Sequence, residues 1–204
     1  MVLGIFPHLT HAAGPGTPEP AKAIPPQLAA LRNHVDPHAI DIAWPYLNSR
    51  DPAIREAART VVEAQPFDTW KQRALDEKDT WASLESLRAL TEACPKAQAA
   101  ELSPHLCEKI ATLRIDEMNE PQQLATFQLT HAIFVRLGPL STTERTGMLD
   151  LWTNFPGTLT ARARAQLTLL VNFLQNVPTR DGKPWVPLAT PRPPASVPGA
   201  GAPL

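Results

Sequence analysis

Glycine is scarce here, cysteine nearly absent and tyrosine almost missing: nine, two and one residues in a chain of 204. Two cysteines, Cys94 and Cys107, are too few for the framework of bridges that staples small secreted domains. Both fall in or beside expected helices, where a small buried thiol is the usual outcome, and a bridge between them is the less favoured reading. No Gly-rich phosphate loop, G-x-S-x-G, H-E-x-x-H or C-x-x-C-H haem attachment sequence occurs. No apolar run approaches the roughly 20 residues that span a bilayer. Positive charge is not in excess either. With 19 basic and 20 acidic side chains the net charge is −1, so no bulk attraction for nucleic acid or anionic lipid is expected.

Proline, by contrast, is abundant. Of 23 prolines, six precede Gln27 and eight lie from Pro178 onward. Residues 1–26 have no sustained period and read as a disordered or linker N-terminus. Within them, Met1–Gly14 is partly apolar, but no basic residue precedes it and Pro7 interrupts it. A cleaved signal peptide and a stray start on a longer reading frame both fit that stretch. Residues 178–204 form a proline-rich tail, favoured as a linker or frayed terminus. Docking of the segment PWVPL onto the folded part, or its use as a polyproline ligand, is the other reading.

Between these ends, with 43% of the whole chain hydrophobic and 19% charged, the texture is helical throughout, without strand alternation or hairpin dipeptides. The clearest segment is DPAIREAARTVVEAQPFDTW. Asp51 is suited to cap the free amides of a first turn, and Pro52 fits the first helical position. Ile54, Ala57, Ala58, Val61 and Val62 make one apolar stripe, while Arg55, Glu56, Arg59 and Glu63 are expected on the opposite, solvated face. Pro66 ends this helix, and Trp70 and Ala74 point inward in the next.

The same grammar recurs. Trp81, Leu84, Leu87, Leu90 and Cys94 lie on or near one stripe. Ser103-Pro104 repeats the cap-plus-proline start. Asn119 begins a helix that closes at Gly138, a residue suited to the left-handed position after a helix. Ser141 and Glu144 have capping-box spacing. Leu167, Leu170, Val171 and Leu174 line the last helix, whose first turn carries Arg162 and Arg164 at the end disfavoured by the helix dipole. The spacing predicts an all-α fold of about eight short helices over residues 27–177, arranged as an α-solenoid of HEAT-like helical hairpins, with a globular helical bundle as the alternative.

Candidate sites are weak. His34 and His38 are separated by Pro37, and His105 and Cys107 are two apart, so neither pair shares a helix face. His131 reads as a hydrogen-bonded core histidine beside Phe127 and Phe134. Asp116 and Glu117, next to Arg114, read as a solvated corner. Trp70 and Trp81 read as core wedges between helical pairs. No catalytic, cofactor or metal residue is assigned, no cofactor is expected, and the partner-binding residues are unknown.

The segment LNSRDPAIREAARTVVEAQPFDTWKQRALDEKDTWASLESLRALTEAC resembles the HEAT-repeat segment of large secreted bacterial proteins. Those proteins join a sorbosone-dehydrogenase-like β-propeller, a HEAT array and a C-terminal c-type cytochrome. Asp51, Ala57-Ala58-Arg59, Glu63, Pro66, Trp70 and Ala74-Leu75 carry the resemblance, which runs over roughly residues 28–178. It implies a spacer that inherits neither haem nor catalysis, because the propeller and the haem domain are not in this chain. The expected role is a non-catalytic scaffold or protein-interaction module for adjoining domains in a cytochrome c-associated dehydrogenase system. Its expected place is periplasmic or secreted, with a cytoplasmic location as the alternative. A nucleic-acid-binding HEAT protein and a small all-α enzyme are the rival functions.

Overall fold

The structure is a computed structural model and describes residues 23–155 and 157–182. Among these, every regular element is a helix. The α-helices are α1 (Pro26–Leu31), α2 (Ala39–Ala43), α3 (Pro52–Glu63), α4 (Lys71–Asp76), α5 (Thr80–Ala93), α6 (Ala99–Thr112), α7 (Glu120–Arg136), α8 (Thr142–Thr153) and α9 (Ala161–Asn176). Short 3₁₀ turns at Trp44–Asn48, Phe67–Thr69, Lys96–Gln98 and Ile115–Glu117 join several of them. The all-α expectation holds.

The local signals act as the residues dictate. The Asp51 carboxylate accepts from the Ala53 amide at 2.9 Å, and Pro52 opens α3. All five residues of the α3 apolar stripe are buried. Asn119 with Gln122, and Ser141 with Glu144, form reciprocal capping boxes at the starts of α7 and α8. Each box satisfies two amides that the first helical turn cannot pair by itself. Gly138, just past α7, has φ +88° and so supplies the left-handed turn that an L side chain would resist.

One expected boundary is corrected. Ser103-Pro104 does not start a helix: α6 begins at Ala99, and Pro104 lies inside it. A proline there removes one i→i−4 bond and crowds the preceding turn. The helix continues because Leu102, Ser103, Leu106, Cys107 and Ile110 are buried along one side. Ser103 is fully buried and donates instead to Glu144 on α8, at 2.9 Å.

Packing follows a simple order. The odd-numbered helices touch in sequence, α1 on α3, α3 on α5, α5 on α7 and α7 on α9. The even ones do so from α4 to α6 and from α6 to α8. Cross-links between the two sets run from each even helix to the next odd one, α4 to α5, α6 to α7 and α8 to α9. One continuous apolar cluster runs through them from Leu28 past Trp70, Leu87, Leu106 and Ile133 to Leu174. Short helices of this kind are marginal alone and owe their order to such burial.

After α9 the chain turns back on itself. Thr179 is buried, and the Arg180 amide donates to the Leu140 carbonyl at 2.8 Å. Pro178–Gly182, grouped with the tail by sequence, are therefore held against the starts of α6 and α8. The PWVPL segment, residues 184–188, lies outside the described residues, as do residues 1–22.

Candidate functional site

Of the charges expected on the solvated face of α3, Arg55, Arg59 and Glu63 are instead gathered between α3 and α5. Arg55 is 7% exposed. Its guanidinium sits 3.6 Å from the centre of the Trp81 ring, and its Nε donates to Glu85 at 3.1 Å. Its Nη1 donates to the carbonyls of Ser49 and Arg50 at 2.8 and 3.1 Å. Arg59 pairs with the other Glu85 oxygen at 3.3 Å and with Glu63 at 2.7 Å. Burial pushes the Glu63 carboxyl above its ordinary range, against the downward pull of Arg59. The ladder of exposed charges anticipated at these positions is thus a half-buried brace, and Trp81 is its half-buried lid rather than a core wedge. Trp70 is fully buried, as expected. The missed signal was Glu85, two helices along on α5, which draws Arg55 and Arg59 inward.

A second polar knot ties the Trp44–Asn48 turn to α4 and α6. The Trp44 indole donates to Glu77 at 2.6 Å, and Lys109 donates to the Glu77 backbone carbonyl at 2.6 Å. Partial burial raises the Glu77 carboxyl, but the donors from Trp44, Asp79 and Lys78 outweigh it and hold the group low. Arg73 lies 4.4 Å from the centre of the Trp44 ring and pairs with Asp41 at 2.7 Å.

The remaining candidates scatter. Asp116 and Glu117 stay exposed beside Arg114, as a solvated corner should. Cys107 is buried and Cys94 half-buried, both as free thiols. Burial pushes the Cys107 thiol up to about 12, with Glu144 adding to the effect. Among the described residues no three His, Cys, Asp or Glu side chains converge as a metal site. No described helix is long and apolar enough to cross a membrane. Comparisons with protein-family models, curated proteins and solved structures find no match.

What the folded part offers outward is an apolar stretch on α7 and α9. His131 is half-buried against Phe173, with ring centres 4.5 Å apart, and burial lowers its pKa. One turn further along α7, Val135 is 56% exposed; one turn earlier on α9, Leu169 is 48% exposed. Arg162 and Arg164 are exposed at the start of α9.

Proposed function

We propose that this chain is a non-catalytic α-solenoid of HEAT-like helical pairs, acting as a stiff spacer or scaffold that sets the separation of adjoining domains or partners. The resemblance of residues 28–178 to secreted propeller and cytochrome proteins favours a periplasmic or secreted setting in an electron-transfer dehydrogenase system.

One observation supports the array over the globular bundle. The hydrogen bonds that side chains make to residues more than ten positions away fall almost entirely within one band of chain separations. They begin at 29 residues for Asp36 with Gln65 and end at 44 for Arg136 with Glu92. Between these lie Arg55 with Glu85 at 30, Trp44 with Glu77 at 33, Gln123 with Thr158 at 35 and Thr160 with Glu120 at 40. The departures are at the ends, with Gln27 to Tyr46 at 19 and two Arg180 bonds at 77 and 80. Bonds that mostly span about one helical pair are what nearest-neighbour stacking produces. A bundle folded around one centre would mix short and long separations.

The test is a distance measurement across the full chain. Nitroxides on Cys introduced at Ala30 and Thr168, in a Cys94→Ser background, should give one narrow distance distribution by pulsed electron resonance. A broad or multimodal distribution would remove the stiff spacer.

A further inference from the structure

The described chain ends in a turn at the head of α8, and its direction is set there. Arg180 donates through Nε to the Pro139 carbonyl at 3.1 Å and through Nη2 to Ser103 at 3.1 Å, and it pairs with Glu144 at 3.9 Å. The Asp181 carboxylate accepts from the Thr142 hydroxyl at 2.6 Å and from the Thr142 amide at 3.3 Å. The Gly182 amide then donates to the Thr179 carbonyl at 3.1 Å, and Gly182 has φ +67°, so the chain reverses at that point.

Thr142 is also the first residue of an open groove of about 540 Å³ along α8, lined by Thr142, Thr143, Thr146, Gly147 and Asp150. Gly147 is exposed, and a Cβ built there would meet nothing within 4 Å. Glycine inside a helix costs about 1 kcal/mol relative to alanine, and no packing against the described residues explains it. Gly147 thus leaves the groove without a side chain between its threonines and Asp150.

We propose that the segment Lys183–Leu188 docks in this groove, with the Trp185 indole laid on the helix surface over Gly147. The chain that leaves Gly182 has the matching stiffness and length. Pro184 and Pro187 restrict themselves and the residues before them to extended conformations. A polyproline strand advances about 3.1 Å per residue, so a strand of that kind would carry Trp185 about 9 Å beyond Gly182. On α8, Gly147 lies about 7.5 Å from Thr142 at about 1.5 Å per residue. Trp185 is the largest apolar group in the tail, and Gly147 is the one position in the groove where no side chain stands in its way. The charge also agrees. Residues 183–204 include Lys183 and Arg192 but no carboxylate side chain, while Asp150 closes the far end of the groove. The tail would thus cover α8 and leave the α7 and α9 face as the open one.

The experiment follows the indole N–H signals of the ¹⁵N-labelled full chain, with Trp185 assigned by Trp185→Phe. A nitroxide at Thr153→Cys, just past the groove and in a Cys94→Ser background, should remove more than half of the Trp185 signal. The same label at Ala30→Cys should leave it unchanged. Gly147→Leu fills an exposed position and improves helix propensity, so the chain stays folded, and the Trp185 signal should move to the free-indole position. A Trp185 signal unaffected by the Thr153 label overturns the proposal, as does one unmoved by Gly147→Leu. Broadening from the Ala30 label, or broadening seen only between labelled and unlabelled chains in a mixture, also overturns it by placing the tail elsewhere or on a second copy.

Discussion

Arg180 Nη1 stands 3.5 Å from the carbonyl oxygen of Ala100, the acceptor that Pro104 leaves open inside α6. A helical residue at 104 would normally donate to residue 100, and proline has no N–H to give. The missing donor is supplied from the far end of the chain, 80 residues away. A strap that also bonds Ser103, Pro139 and Glu144 thereby supplies a donor to an open carbonyl inside α6.

That relationship predicts coupling. Pro104→Ala should stabilise the chain, because the backbone bond returns, and Arg180→Ala should destabilise it by about 1 kcal/mol. In the Arg180→Ala background the gain from Pro104→Ala should be larger than in the native chain. Denaturant titration of the four-member cycle measures this. Strict additivity would mean that the two residues do not share the Ala100 carbonyl.

Breaking the Arg55 brace should be costly. Arg55→Met leaves Glu85 half-buried beside a single remaining cation, Arg59. Removing one member of a buried pair costs about 3 kcal/mol, or about 9 °C in a chain of this size. Arg55→Lys should not restore it, since an ammonium cannot lie flat on Trp81 while also reaching Glu85 and two carbonyls. Thermal melts of the two variants and of Glu85→Gln decide the matter. A melting point within 2 °C of the native one for Arg55→Met, a margin of about 1 kcal/mol, would contradict the burial described here.

The thiols should differ sharply. Cys107, with its thiol pushed up to about 12, should resist an aromatic disulfide reagent in the native protein at neutral pH, whereas Cys94 should react. Both should react in denaturant. Mass spectrometry of the labelled chain separates them.

His131 predicts a pH dependence of definite sign. Burial holds its imidazole below the ordinary value, so at pH above about 6.5 it is neutral in folded and unfolded chains alike and contributes no slope. As pH falls below that, the unfolded chain binds the proton first, and stability declines until the native His131 is protonated too. His131→Phe should flatten the melting-point profile below about pH 6.5. Parallel profiles for the variant and the native chain would place the ring in water instead.

Asp181 stays ionised to lower pH than an ordinary exposed carboxyl. Its bonds to the Thr142 and Thr179 side chains hold its pKa well below the carboxylate range. Its contribution is therefore present above that range and is lost only as pH falls through the lowered value. The Thr142 amide resonance should stay at its native position at about pH 4, and Asp181→Asn should shift it at every pH.

Local chemistry alone determined a good deal of this protein. Asp51, Asn119 and Ser141 satisfy amides within three residues of themselves, and Gly138 turns the chain where it stands. Stripes such as Ile54, Ala57, Ala58, Val61 and Val62 are set by 3.6 residues per turn. Those choices establish an all-α chain and most of the helix ends before any partner is present. The fate of polar residues could not be settled in that way. Arg55 sits on the nominally wet side of α3, and only the arrival of Glu85 and Trp81 from α5 makes burial of its charge tolerable. Pro104 looks like a helix start until Arg180 is folded against Ala100. In each case the deciding atom lies some 30 to 80 residues distant, beyond the reach of periodicity or capping, because electrostatic and hydrogen-bond complementarity depends on which surfaces meet.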